Sequence, residues 1–168
     1  AGDDASNSVA IGYQALNVLD AADDNVAVGS GAMAANIDSP ANIAIGKLAI
    51  STMTTGNGLN IGIGNNVLDV LDSGQSNVAI GNDAGAAYNT TESSNIVIGN
   101  QGVNADNNTI RIGTQGTGVG EQDACFIAGI VGVTTSNSQM VTIDSTTGEL
   151  GVATLPSPSF SWSVITAD

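Results

Sequence analysis

The chain has no histidine, and its only basic residues are Lys47 and Arg111. Without imidazole, the usual base for activating a serine or cysteine nucleophile is missing. Two cations against sixteen carboxylates give a formal charge of −14. Binding to nucleic acid or to an anionic membrane needs clustered Lys and Arg, so both are excluded. Aromatic residues make up 3% of the chain; Tyr13, Tyr88, Phe126, Phe160 and Trp162 are too scattered to form a sugar-stacking platform. The one cysteine, Cys125, rules out an intrachain disulfide. In the run Ala124-Cys125-Phe126-Ile127-Ala128 it reads as a small buried hydrophobe, with an interchain bridge as the alternative. No apolar stretch approaches the ~20 residues needed to span a membrane. The opening Ala1-Gly2-Asp3-Asp4 has no signal-peptide features, so the chain reads as a mature or excised piece.

Charged residues are 11% of the chain, well under the roughly one quarter of an ordinary domain. The polar surface is therefore built from Asn, Ser, Thr and Gln. Disorder is the default for an acidic chain poor in aromatics, but 42% of residues are apolar and fall in regular blocks. Those blocks are an internal repeat, the feature that decides a fold when it is present. The unit is Asn (once Ser), apolar, small, apolar, Gly, two variable residues, then a small or apolar pair. Its copies begin at Ser8, Asn25, Asn42, Asn60, Asn77 and Asn95, and a degenerate seventh is Thr109-Ile110-Arg111-Ile112-Gly113. The closing glycines, Gly12, Gly29, Gly46, Gly64, Gly81, Gly99 and Gly113, are separated by 17, 17, 18, 17, 18 and 14 residues.

Each unit predicts a β-strand of about five residues with alternating faces. We expect its two β-branched residues to point into a core. The Ala or Gly between them then lies on a second face, tightly approached by a neighbouring subunit. The closing Gly permits positive φ and marks a turn or bulge. The opening Asn25, Asn42, Asn60, Asn77 and Asn95 are either turn residues or rungs of a side-chain ladder running from coil to coil; their uniformity favours the ladder. Polar segments such as 20–24 and 89–94 read as loops. A unit this short cannot hide its apolar face alone, so the units stack. The expected fold is all-β, a parallel β-solenoid of about six 17–18-residue coils over 1–108, and its thin core predicts a homotrimer.

The unit Asn/Ser-Val-Ala-Ile-Gly followed by a small residue resembles the head repeats of trimeric autotransporter adhesins, and is similar to repeats of phage tail fibres. Ser8-Val9-Ala10-Ile11-Gly12 and Asn77-Val78-Ala79-Ile80-Gly81 carry the likeness best, and it covers residues 8 to about 113. The resemblance implies a left-handed parallel β-roll, trimeric, displayed on a surface and used in attachment. The 17–18-residue period is longer than the 14–15 usual in adhesin heads, which draws the chain toward the fibre variants. Residues 109–155 read as a β-rich cap or neck-like module, with strands at Ile110-Arg111-Ile112, 124–130, 141–144 and 148–151. This order resembles the stretch before the chaperone domain of endosialidase-type tail fibres. Residues 156–168 read as a stiff Pro156-Ser157-Pro158 linker and the first strand of a further, truncated domain.

Chemistry is sparse. The candidate carboxylate pairs, Asp69 with Asp72 and Asp20 with Asp23 and Asp24, sit at coil corners and read as solvated faces rather than a glycosidase pair. Those corners offer hard oxygen ligands suited to Ca²⁺, but neither a Gly-Gly-x-Gly-x-Asp repeat nor EF-hand spacing is present, so no cofactor is assigned. The glycine-rich run 113–120 lacks the lysine of a phosphate loop. Tyr13 and Tyr88 read as isolated surface aromatics. The sequence predicts a non-enzymatic structural segment of a trimeric extracellular surface fibre or adhesin, on a cell surface or a virion. Its partners would be itself and, through a distal tip, a cell-surface or glycan ligand. The alternatives are a phage-like tail fibre segment and, more weakly, a glycan-degrading solenoid enzyme. An ice-binding solenoid would need Thr-x-Thr arrays, which the Val-Ala-Ile strands do not supply.

Overall fold

A computed structural model describes residues 7–18, 22–56, 58–114, 121–122, 139–143 and 150–154. Asp20, Cys125, the runs 115–120 and 124–130, the linker at 155–159 and the stretch 160–166 lie outside the described residues. Two compact units are present, Ala1–Gln122 and Asp123–Asp168.

The first unit is a parallel β-solenoid. Its seven strands are β1 (Val9–Ile11), β2 (Val26–Val28), β3 (Ile43–Ile45), β4 (Ile61–Ile63), β5 (Val78–Ile80), β6 (Ile96–Ile98) and β7 (Ile110–Ile112). They form one sheet in chain order. Every pairing is parallel and in register, so Val9, Val26, Ile43, Ile61, Val78, Ile96 and Ile110 stack in one column. The strands are three residues long rather than five, because the backbone turns immediately at the Asn and at the Gly. β7 belongs to the same sheet, so the solenoid extends past residue 108, where the change of spacing had suggested a boundary. In the second unit β8 (Gln139–Ile143) and β9 (Leu150–Thr154) pair antiparallel, Gln139 opposite Thr154 and Ile143 opposite Leu150. No helix occurs among the described residues.

The coil turns its corners through left-handed backbone. The residue before the opening Asn has φ of 59° at Asp24, 56° at Ala41, 61° at Leu59 and 58° at Ser76. The second residue after the closing Gly repeats this at Leu48, Asn66 and Asp83, and the fourth at Met33, Ile50 and Leu68. Each such L-residue costs about 1–2 kcal/mol. The strain is held by packing and by backbone hydrogen bonds from coil to coil, for example from the Leu48 N–H to the Ser30 carbonyl at 3.0 Å and from Ile50 to Val67 at 2.9 Å.

The orientation of the strands overturns the expectation from sequence. Ala27, Ala44, Ala79 and Val97 are completely buried, whereas Ile45, Ile63, Ile80 and Ile98 are 37–40% exposed. The small residue faces the interior and the β-branched pair faces outward. The reason is volume. The interior is already filled by Ala32, Ala49, Val67 and Ala84, by Met33, Ile50 and Leu68, and by Met53, Leu71 and Tyr88, all fully buried. Little room remains opposite the strand. Where Val67 replaces alanine in its column, the strand residue shrinks to Gly62, whose added Cβ would lie 3.0 Å from both Ile50 Cγ1 and Val67 Cγ1. Tyr88 is accommodated in the same way: the column of Met33, Ile50 and Leu68 continues as Gly85, and a Cβ at Gly102 would lie 2.7 Å from Tyr88 Cζ.

Candidate interaction surface

Two features stand out on this scaffold, one inside and one outside. Inside, the asparagines stack. The backbone N–H of Asn42 donates to Asn25 Oδ1 at 2.9 Å, that of Asn60 to Asn42 Oδ1 at 3.0 Å, that of Asn77 to Asn60 Oδ1 at 3.0 Å and that of Asn95 to Asn77 Oδ1 at 3.1 Å. Ser8 Oγ opens the series by accepting from the Asn25 N–H, and the Thr109 N–H closes it on Asn95 Oδ1. The side-chain amides also brace loops, from Asn42 to the Ser39 carbonyl, Asn60 to Gly74, Asn77 to Glu92 and Asn95 to Asp106. All five asparagines are fully buried, and their polar atoms are used in holding coil to coil. The repeat glycines Gly29, Gly46, Gly64, Gly81 and Gly99 line the strand ends. Added Cβ atoms at Gly29, Gly46 and Gly64 would each lie 2.6 Å from the carbonyl carbon of the next glycine in the column. These asparagines and glycines form the frame on which a surface is displayed.

Outside, the sheet presents two straight columns. One is Val9, Val26, Ile43, Ile61, Val78, Ile96 and Ile110; the other is Ile11, Val28, Ile45, Ile63, Ile80, Ile98 and Ile112. Seven strands at ~4.8 Å spacing make a strip about 30 Å tall. Every outward strand residue is Val or Ile. Among the residues of these seven strands, the one charged residue, Arg111, stands in the column of the inward small residues, level with Val97. A chain of net charge −14 thus keeps one long face free of charge. This continuous apolar strip is the candidate interaction surface.

Of the candidate carboxylates, Asp23, Asp24, Asp69 and Asp72 lie within the described residues. Asp72 is exposed and accepts a hydrogen bond from Thr54 Oγ1. Asp69 has its carboxyl raised above the usual range by burial and, more weakly, by the neighbouring charge of Asp83. The Asp23 carbonyl accepts from the Ala41 N–H. Among the described residues no group of three or more His, Cys, Asp or Glu is placed to hold a metal ion. Tyr13 is 75% exposed, but Tyr88, read from sequence as a surface aromatic, is fully buried.

The fold and the displayed face define a parallel β-solenoid repeat protein. No protein-family model matches the chain, and neither a curated protein nor a solved structure matches it.

Proposed function

We propose that the chain is a segment of a homotrimeric extracellular fibre, its outward Val/Ile strip packed against the same strip of two further copies around a common axis. The carrying observation is the strip itself, fourteen β-branched residues in two registered columns with no charge among them. A fully buried Val or Ile gains about 1.5–3 kcal/mol over an exposed one. These side chains are already about half covered by their neighbours, so closing the strip contributes on the order of 10 kcal/mol per protomer. That lies within the roughly 4–15 kcal/mol cost of association, and a solenoid whose partners run parallel to it closes the whole strip at once. Around a threefold axis one column of each protomer meets the other column of its neighbour, so a single strip supplies both halves of the contact. The acidic charge lies elsewhere on the molecule, where it keeps assembled fibres apart. Threefold symmetry rests on the likeness of the Asn-Val-Ala-Ile-Gly unit to trimeric adhesin heads. In this reading the segment is structural: it spaces and presents a distal tip that attaches to a cell or host surface. Sedimentation equilibrium tests it. The intact chain is expected at three chain masses, and Ile63→Lys, which puts a charge at mid-strip, at one. A wild-type monomer, or a dimer, refutes the arrangement.

A further inference from the structure

The interior of the solenoid is held almost entirely by neutral groups. Among the described residues, the fully buried polar side chains are asparagines and a serine apart from Glu92, which is 1% exposed. Its two oxygens span two coils. Oε2 accepts from the backbone N–H groups of Asn89 at 3.1 Å and Thr90 at 3.0 Å in the fifth coil, and Oε1 from Ala105 at 3.0 Å in the sixth. Beside it Asp106 joins three coils. Oδ2 accepts from Tyr88 Oη in the fifth coil at 3.3 Å and from the Val103 N–H in the sixth at 3.0 Å. Both of its oxygens meet Arg111 of β7, at 2.7 Å through Nε and 2.9 Å through Nη2. Asp106 and Arg111 bring charge to positions of the repeat that are neutral in the earlier coils: Asp106 follows Gly99 at the spacing at which Asn36, Met53, Leu71 and Tyr88 follow their glycines, and Arg111 takes the place of Ala27, Ala44 and Ala79.

We propose that Glu92, Asp106, Arg111 and Tyr88 form a latch that closes the C-terminal end of the solenoid, and that acid opens this latch locally, releasing the sixth and seventh coils while the earlier coils stay closed. The argument is one of acceptor counting. Glu92 satisfies three N–H donors only as a carboxylate; a protonated acid has one good acceptor oxygen and adds a donor among donors. Protonated Asp106 likewise loses the bidentate pairing with Arg111. The buried ladder of the earlier coils is made of amides, and the carboxylates that bridge coils there, Asp72 accepting from Thr54 Oγ1 and Asp83 from Asn66 Nδ2, are exposed or half-buried rather than enclosed. Burial pushes Glu92 upward, but the N–H bonds from Ala105, Thr90 and Asn89 together outweigh it and hold it below the usual range. Arg111 foremost holds Asp106 low. Tyr88 is raised by burial and by Asp106, so its phenol stays protonated and donating. Asp83 and Glu121 line the open groove beside Arg111, so the nearby charges outside the latch are also carboxylates. For groups held low in the folded state, stability is present above the unfolded value and is lost as pH falls through the folded one.

Hydrogen exchange on the intact chain, resolved by segment, tests this. At neutral pH the amides of Ile96, Gly99, Asn108 and Gly113, all hydrogen-bonded, should be protected. At about pH 2.5, below the ordinary Asp and Glu values of roughly 3.9 and 4.3, their protection should fall by about tenfold or more after correction for intrinsic rate. The amides of Ile43, Ile61 and Gly64 should hold theirs. Glu92→Gln, which removes one acceptor oxygen without any change of pH, should reproduce the pattern at pH 7. Loss of protection across all coils together, or unchanged protection from 96 to 113 in acid, overturns the proposal. Should Glu92→Gln fail to fold, the acid measurement on the wild type decides alone.

Discussion

Substituting alanine at two glycines of the same repeat position separates backbone strain from steric exclusion. Gly46 and Gly81 both close a strand, with φ of 138° and 124°, a region that L-residues rarely enter. Each substitution therefore costs about 1–3 kcal/mol in backbone strain. Their surroundings differ. A Cβ at Gly46 would overlap the Gly64 carbonyl, with the carbonyl carbon 2.6 Å away, whereas a Cβ at Gly81 finds its nearest atoms, the Gly99 Cα and N, at 3.3 Å. The Gly64 carbonyl belongs to the next coil's backbone, so the clash at Gly46 is relieved only by prising two coils apart, adding about 1–3 kcal/mol in the manner of an overpacked core. Gly46→Ala is thus expected to cost about 2–6 kcal/mol and Gly81→Ala about 1–3. The difference of about 1–3 kcal/mol, at roughly 2–4 °C per kcal/mol for a chain of this size, should separate the two melting temperatures by about 2–12 °C. Circular dichroism melts of both variants beside the wild type read this directly. Equal losses at the two sites would show that the stacked glycine column is not in backbone contact, and the coil spacing inferred from it would fail.

Two further substitutions should stabilise the protein. Asn36 occupies the interior position filled by Met53, Leu71 and Tyr88 in later coils, and its Oδ1 is buried with no hydrogen-bond partner. Asn36→Leu removes that orphaned acceptor, while the Ser39 carbonyl, to which Asn36 donates, still receives the Asn42 amide at 2.8 Å. A gain of about 1–2 kcal/mol should appear as a higher urea midpoint with an unchanged slope, and a loss would show that the asparagine is needed in place. Leu59 is 57% exposed with φ of 61°; Leu59→Asn places there a residue that tolerates left-handed backbone, worth up to about 1 kcal/mol. A lower melting temperature for this variant would mean that Leu59 contributes through packing that its exposure does not reveal.

The period of the glycines made the solenoid legible. Copies 17 or 18 residues apart became β1 to β6, and the early seventh copy became β7. The inside and outside of the strands were not legible in the same way. Alternation in Val-Ala-Ile defines two faces but does not say which one is enclosed. That choice depends on how much volume the rest of the coil supplies, and the large side chains Met33, Ile50, Met53, Leu68, Leu71 and Tyr88 fill it. The left-handed corners were hidden as well, because glycine, asparagine and aspartate are the residues that advertise positive φ in a sequence, whereas this chain also places Ile50, Met33 and Leu68 there. The latch was obscured because Glu92 lies in a polar run that reads as loop, and because Arg111 is isolated. A partial signal existed: a lone arginine at a position otherwise held by Ala, Gly or Val calls for a carboxylate partner nearby, and Asp106 stands five residues before it.

Counting chains does not reveal which surface holds them together, so the central claim is tested most directly at the strip itself. A single thiol introduced by Ile63→Cys in a Cys125→Ser background lies at mid-strip, and one introduced by Ser30→Cys, at an exposed position beside the sheet, serves as the reference. Alkylation under native conditions should be slower at position 63 than at position 30 by on the order of a hundredfold, if covering the strip has the worth of a buried interface. Both should react alike once the protein is unfolded. Equal rates in the native protein would mean that the Val/Ile columns stand open to water, and that this solenoid assembles by some other face or not at all.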